Sequence, residues 1–396
     1  MEKWEVSSFE KLYAIPSRNG LSKPSRVRGS GYKMINMGEL FSNDRIYNIN
    51  MELVPLTDAE KEKARVLPLD LLFARQSLVA AGAGKCSVVM ETSDLTVFES
   101  HLIRVRLNKS IADPFFYYYY FKSSCSPMQT IIQHCVQAGI KASDLSRLEV
   151  PVPPICEQHK IASVLMSLDD KIEENKKINK NLEQQAQAIF ANEFLSLETL
   201  PEGWKQASLI DIADYLNGLA MQKYRPTADE SGIPVLKIKE LRQGCCDDNS
   251  ELCSPNIKSN YIIHDGDVIF SWSGSLLVDL WCGGICGLNQ HLFKVTSSKY
   301  DKWFYYAWTK HHLDRFVAVA ADKATTMGHI KRDELAKAEV LIPNKKDYDR
   351  IGALLQPIYE MIISNRIENK KLAATRDTLL PKLMNGEIDI SEVDYE

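Results

Sequence analysis

The chain has 396 residues, with 45% hydrophobic and 25% charged, which is ordinary for a soluble globular protein of two or three domains. No uninterrupted apolar stretch approaches the ~18–20 residues of a membrane span, and Met1-Glu2-Lys3-Trp4-Glu5 lacks the layout of a signal peptide, so a cytoplasmic location without membrane contact is expected. The formal charge of −4 does not announce a nucleic-acid binder, although steering depends on local patches more than on the total, and nine scattered cysteines suit a reducing compartment. Cys245, Cys246, Cys253, Cys282 and Cys286 lack the paired spacing of a zinc site, so no metal is expected.

From Lys11 to Gly38 there are six Lys or Arg and no acidic residue, a basic patch from which Lys23, Arg26, Arg28 and Lys33 are candidate DNA contacts. A strand is expected over Asp70–Phe73, followed by Arg75 and Gln76, which are assigned to base readout. Gly82-Ala83-Gly84-Lys85-Cys86 lacks the first glycine and the hydroxyl of a phosphate loop and is read as a DNA-facing loop with Lys85 as a contact. Asp113-Pro114 opens an aromatic helix through Phe121 as cap and first-turn proline; the Asp/Asn-Pro-Pro-aromatic turn of an amino-methyltransferase is missing. Ile140-Lys141 offers a phosphate anchor or a helix cap at Lys141, and a proline-bounded strand follows over Leu148–Pro153.

A long helix comes next. Ile161, Leu165, Leu168, Ile172, Asn175, Asn179, Leu182, Ala186 and Ile189 fall at alternating steps of four and three, the heptad signature of a coiled-coil seam. The carboxylate and lysine at Asp169 and Lys171 read as helix-surface charge.

The second half repeats the first. His101 and His291 sit 190 positions apart in matching strings, as do Ile140-Lys141 and Ile330-Lys331. Ser30-Gly31…Glu39-Leu40 mirrors Ser231-Gly232…Glu240-Leu241, Asp70–Phe73 mirrors Asp267–Phe270, and Asp113–Tyr117 mirrors Asp301–Tyr305. The second seam, again 190 positions on, is Ile351, Leu355, Ile358, Ile362, Asn365, Asn369, Leu372, Arg376 and Leu379. Asn175, Asn179, Asn365 and Asn369 therefore occupy matching positions, where buried amides penalise wrong registers.

The expected fold is α+β: two similar globular domains joined by two long helices in an antiparallel coiled coil, with pseudo-twofold internal repetition. The segments are 1–155 and 198–345 for the globular domains and 156–197 and 346–392 for the helices. About 30 paired residues would span ~45 Å, on the order of 13 base pairs of duplex, so the helices are expected to act as a ruler between two readers. In the second domain Gln222, Lys223, Arg225, Lys237 and Lys239 are candidate contacts, with Trp272 and Ser273 after the matched strand and Lys331 matching Lys141. The post-strand loops differ, so two different half-sites are expected.

Three stretches resemble a known family. Val152-Pro153-Pro154-Ile155-Cys156-Glu157-Gln158-His159-Lys160-Ile161-Ala162 with Leu168-Asp169-Asp170-Lys171-Ile172 resembles the central conserved region of Type I restriction–modification specificity subunits. Leu200-Pro201-Glu202-Gly203-Trp204 is similar to their entry into the second target-recognition domain, and Arg376 through Ile388 to their C-terminal helix ending. Asn344-Lys345-Lys346-Asp347 departs from the Pro-Pro-x-x-Glu-Gln element of the first copy, and no Pro-Glu-Gly precedes Trp4.

The resemblance implies two target-recognition domains, each reading half of an asymmetric bipartite duplex site. It also implies a spacer set by the helices, two docked methyltransferase subunits and additional nuclease–translocase subunits. S-adenosylmethionine, ATP and Mg²⁺ would belong to those partners, with no cofactor and no catalytic residue in this chain. The competing expectations are a coiled-coil protein-interaction scaffold that never binds DNA, and an autonomous methyltransferase or nuclease.

Overall fold

The repetition in the sequence is a repetition of backbone hydrogen bonds. The computed structural model describes residues 4–77, 82–92, 95–134, 138–322, 330 and 332–390. Met1–Asp170 with Ala373–Glu396 form one compact unit and Lys171–Leu372 the other.

In the first unit a five-stranded sheet runs in the order Tyr13–Asn19, Leu102–Leu107, Leu71–Ala74, Cys86–Val89, Arg45–Ile46. Leu71 to Ala74 is an unbroken apolar run because both sheet faces are covered. Side chains alternate along a strand, so Leu71 and Phe73 join the aromatic core while Leu72 and Ala74 join a second core on the other face. The aromatic helix Pro114–Lys122 packs on the first face. Its start is capped as expected: Asp113 Oδ1 accepts from the Phe115 and Phe116 amides at 2.7 and 3.1 Å.

The second unit repeats the plan with a four-stranded sheet in the order Asp214–Asn217, Leu292–Thr296, Val268–Ser271, Leu277–Leu280. Val268 and Phe270 face its aromatic core and Ile269 the opposite one. The central pairing is antiparallel in both units, Phe73 opposite Ile103 and Phe270 opposite Phe293. A smaller sheet follows in each, with a parallel pairing of Ile35 with Phe98 and of Leu236 with Leu288.

Where the chain passes between the two sheets, the same two bonds recur. The Gly20 and Leu21 amides donate to the Leu102 and Phe98 carbonyls; the Gly218 and Leu219 amides donate to Leu292 and Leu288. A Cβ on Gly20 would stand 2.1 Å from the Phe98 carbonyl oxygen, and one on Gly218 2.2 Å from that of Asn289. Only glycine lets the backbones approach so closely. At the start of each unit a strand pairs antiparallel with the strand leading to a long helix, Glu5–Ser8 with Glu149–Val152 and Lys205–Ser208 with Glu339–Ile342. The tryptophan before each strand bonds into that helix, Trp4 to Glu157 and Trp204 to Asp347.

The long helices are Ile155–Phe190 and Lys345–Met384. The departure at residues 344–347 has a local reason: Asn344 Oδ1 accepts from the Asp347 amide at 3.0 Å, a side-chain cap in place of the proline-led start at Pro154. Within the second unit the helices pair antiparallel. Asn175 Nδ2 donates to Asn369 Oδ1 at 2.9 Å and Asn365 Nδ2 to Asn179 Oδ1 at 2.8 Å. The numbers fall on one helix as they rise on the other; Arg366–Glu183 flanks the asparagines, and Arg350–Glu193, just past the first helix, keeps the same sense. Asn175, Asn179 and Asn365 are buried. Each pair joins a first-position amide to a second-position amide, so the two pairs are one contact seen from either helix. Within the first unit the helix residues Arg376 and Asp169 pair at 2.6 Å.

Two predictions follow from these contacts. Gly20→Ala and Gly218→Ala should each cost more than about 2 kcal/mol in denaturant unfolding, because a backbone must move, whereas Gly38→Ala, with open space around its Cβ, should stay within about 0.5 kcal/mol. In a double-mutant cycle, Asn179→Leu and Asn365→Leu should each destabilise, and the double variant should cost less than their sum by about 1 kcal/mol, since it leaves no amide facing an apolar side chain. Additive losses would show that the amides act independently.

Candidate nucleic-acid interface

The residue after each central strand is anchored by its backbone. In the first unit the Arg75 carbonyl accepts from the Ile140 amide at 2.9 Å, and the Arg75 amide donates to the His101 carbonyl at 2.8 Å. Gln76 pairs with Gly139 in a short sheet. The predicted residues Arg75, Gln76 and Lys141 are thereby brought to one sheet edge beside His101. The Lys141 side chain is exposed, and its carbonyl accepts from Leu145 to open the helix Ala142–Arg147. Lys141 thus stands at the cap position, while its side chain makes no cap bond and stays open for an anion.

In the second unit the Trp272 carbonyl accepts from the Ile330 amide at 3.0 Å, the same tether. Trp272 is half-buried, its ring stacked on Phe293 at 5.5 Å and its Nε1 donating to Asn217 at 3.0 Å. Ser273 is only 2% exposed, and its carbonyl accepts from Ser271 Oγ. Lys331 lies outside the described residues. One backbone frame therefore carries a half-buried Arg–Gln pair in one unit, with Arg75 Nη1 directed at the Ser100 carbonyl at 3.5 Å, and a half-buried Trp with a covered Ser in the other.

The basic candidates mostly sit beside carboxylates. Lys23 pairs with Glu60 at 2.8 Å, and Arg28 bonds to the Lys23 carbonyl and pairs with Glu52 at 2.6 Å. Lys33 is tied to Asn48 and the Ile49 carbonyl. Arg26 is exposed and makes no hydrogen bond or ion pair among the described residues. Lys85 reaches the Phe41 carbonyl and Asp44, turned away from a free loop role by a 2.9 Å backbone bond. In the second unit Arg225 and Lys237 converge on Glu251, Lys239 pairs with Asp247, and Gln222 and Lys223 are exposed.

These pairings lower the acids. The hydrogen bond from Lys23, then the Thr57 amide, holds Glu60 below its ordinary range. The hydrogen bond from Lys237 does the same for Glu251, with the Lys237 and Arg225 charges adding to it, and that from Lys239 for Asp247. Burial would raise Asp44, but the charges of Lys122 and Lys85 carry it below the usual value. These pairs are part-exposed, and the more exposed of them hold their charges in place at little energetic cost to exchange. A polyanion can compete for the cations.

A family model for the Type I restriction modification DNA specificity domain matches residues 1–184 and again 201–374. The chain belongs to that family. Among its relatives is the Type I restriction enzyme MjaIX specificity subunit of Methanocaldococcus jannaschii, 28% identical over 72% of this chain and 70% of the relative. The Type I restriction enzyme HindI specificity subunit of Haemophilus influenzae is 21% identical over 89% of this chain and 94% of its own length. The crystal structure of a Type I restriction-modification system S subunit from M. genitalium has the same fold, with a TM-score of 0.61 at 15% identity over 98% of this chain and 97% of that one.

For a specificity subunit, the residues that a search for basic groups passed over are the polar ones at the same sheet edge. His101 is exposed beside Glu99, and His291 lies against Gln290 and Trp272. Their recurrence 190 positions apart was the signal that marked both turns. Backbone tethering of Ile140 and Ile330 adds that within each unit this turn, the post-strand residue and the tethered isoleucine belong to one place. Among the described residues no helix is long and apolar enough to cross a membrane.

Proposed function

We propose that this chain is the DNA reader of a Type I restriction–modification complex, each globular unit reading one half of an asymmetric bipartite duplex target. The observation that carries this reading is one tethered frame with different side chains at its readout edge: Arg75 and Gln76 in one unit, Trp272 in the other. Shared framework with divergent contact residues is what two readers of unlike half-sites need, because base edges are distinguished by side-chain donors and acceptors. Exposed Arg26, Lys141 and Lys223 supply backbone contacts that position without specifying. The paired helices set the spacer and dock two methyltransferase subunits, and nuclease–translocase subunits complete the assembly. S-adenosylmethionine, ATP and Mg²⁺ act on those partners, and this chain contributes no catalytic group.

The test is methylation mapping with the reconstituted methyltransferase complex. Exchanging residues 1–150 for another recognition domain should change one half-site and leave the other; an unchanged target would overturn the assignment. Inserting a heptad into both helices should lengthen the permitted gap with both half-sites intact. Arg26→Ala should weaken binding to all duplexes and reduce the salt slope by about one, whereas Arg75→Ala should relax preference at one position by about 1–3 kcal/mol. A complex that assembles and never retains duplex DNA in a gel shift would point instead to a protein-interaction scaffold.

A further inference from the structure

On the second long helix, away from the sheet edge, lies a notch of about 260 Å³ lined by Asp301, Trp303, Tyr348, Asp349, Gly352 and Glu360 together with neighbouring helix residues. Trp303 is 98% buried, being only 2% exposed, yet its indole N–H has no hydrogen-bond partner among the described residues. That nitrogen faces Gly352, 3.0 Å from where a Cβ would stand, so the glycine leaves the donor open to the notch. The nitrogen itself is open to the notch although the rest of the side chain is buried, and an occupant carrying a carbonyl would take the N–H in place of water.

The walls are acidic. Asp301 is engaged by the Tyr348 hydroxyl at 3.1 Å, Asp349 by the exposed Lys345 at 2.6 Å, and Glu360 by Gln356 at 2.8 Å. Three carboxylates repel nucleic-acid phosphates and favour a cation. Around the helix from the notch, on the far side of exposed Pro357, Leu354 and Met361 are 45% and 52% exposed. In the first unit the matched places hold Phe115, Gln158 and Ala162, which supply neither the indole N–H nor the gap left by glycine. Gln158 does keep the shared bond, accepting from the Asp113 amide at 2.8 Å as the Tyr348 hydroxyl accepts from Asp301.

We infer that this notch is a docking site for a partner protein segment that presents an Arg or Lys side chain next to a free backbone carbonyl. The carbonyl takes the Trp303 N–H, the cation lies among Asp301, Asp349 and Glu360, and the apolar flank of the segment covers Leu354 and Met361. A planar guanidinium suits paired carboxylates better than an ammonium does. The inference rests on the docking part of the proposed function and deepens it by naming the surface and its chemistry.

The experiment uses the full chain and its methyltransferase subunit. Asp349→Lys with Glu360→Lys, both at exposed positions, should lower the association constant at least tenfold with unchanged thermal melts, and Trp303→Phe, which keeps an aromatic side chain in the core at some cost in melting temperature, severalfold. The Trp303 indole resonance should shift on complex formation. Wild-type affinity in both variants, with no indole shift, overturns the notch and leaves the docking reading standing. If the wild-type chain does not bind the methyltransferase at all, the docking reading fails, and a capped Gly-Arg-Gly peptide titrated into the full chain decides the notch. A saturable Trp303 shift that is lost in the charge-reversed variant supports it; no shift overturns it.

Discussion

An amide buried between two helices must meet another amide or pay for its desolvation. The Asn175 Nδ2–Asn369 and Asn365–Asn179 Oδ1 bonds form only when the helices run antiparallel at one register, and Asn175 Oδ1 stays buried without a partner even there. A slip by a heptad would set most of these amides against apolar seam residues, so the four asparagines select one arrangement at some cost in stability. The same helices supply core side chains to both units, Ile161, Leu165, Leu380 and Leu383 to the first and Ala186, Phe190, Ile351 and Ile362 to the second. Helix register and domain packing are therefore one problem.

Charge reinforces the seam where the sheets meet the helices. In the first unit Arg45, on the edge strand, pairs with Asp170 and bonds to Tyr119, whose hydroxyl donates to Asp169, while Arg376 takes the other Asp169 oxygen. In the second unit Arg366, on the helix, reaches Asp279 on the edge strand and Glu183 on the facing helix. The two clamps use different residues and opposite polarity for the same purpose. In the first unit Arg45 and Asp169 are both largely buried, so removing either would leave an uncompensated buried charge, which fixes the sheet edge on its helix.

With the sheet covered on both faces, variation is confined to its edges and connecting turns. Loops tolerate new side chains when their backbone is held by a rigid scaffold, and the tethers from Ile140 to Arg75 and from Ile330 to Trp272 provide that hold. The overall charge of −4 says little about local potential, because the cations sit in local groups, most of them balanced by a nearby carboxylate.

The sequence by itself determined the repeat, the heptad seam with its matched asparagines, the capped aromatic helix and the family. The family was legible through the resemblance of three stretches, and the other features are written in periodicity and spacing, which a chain carries along its length. Tertiary structure alone decided which polar groups share a place. Nothing in the spacing of Arg225, Lys237 and Glu251 says that they converge, and nothing in Ser273 says that its side chain is covered. The Gly20 and Gly218 crossings and the open Trp303 N–H likewise depend on backbones distant in sequence. Burial and partnering are properties of packed neighbours, and a local pattern cannot specify which distant residues those neighbours will be.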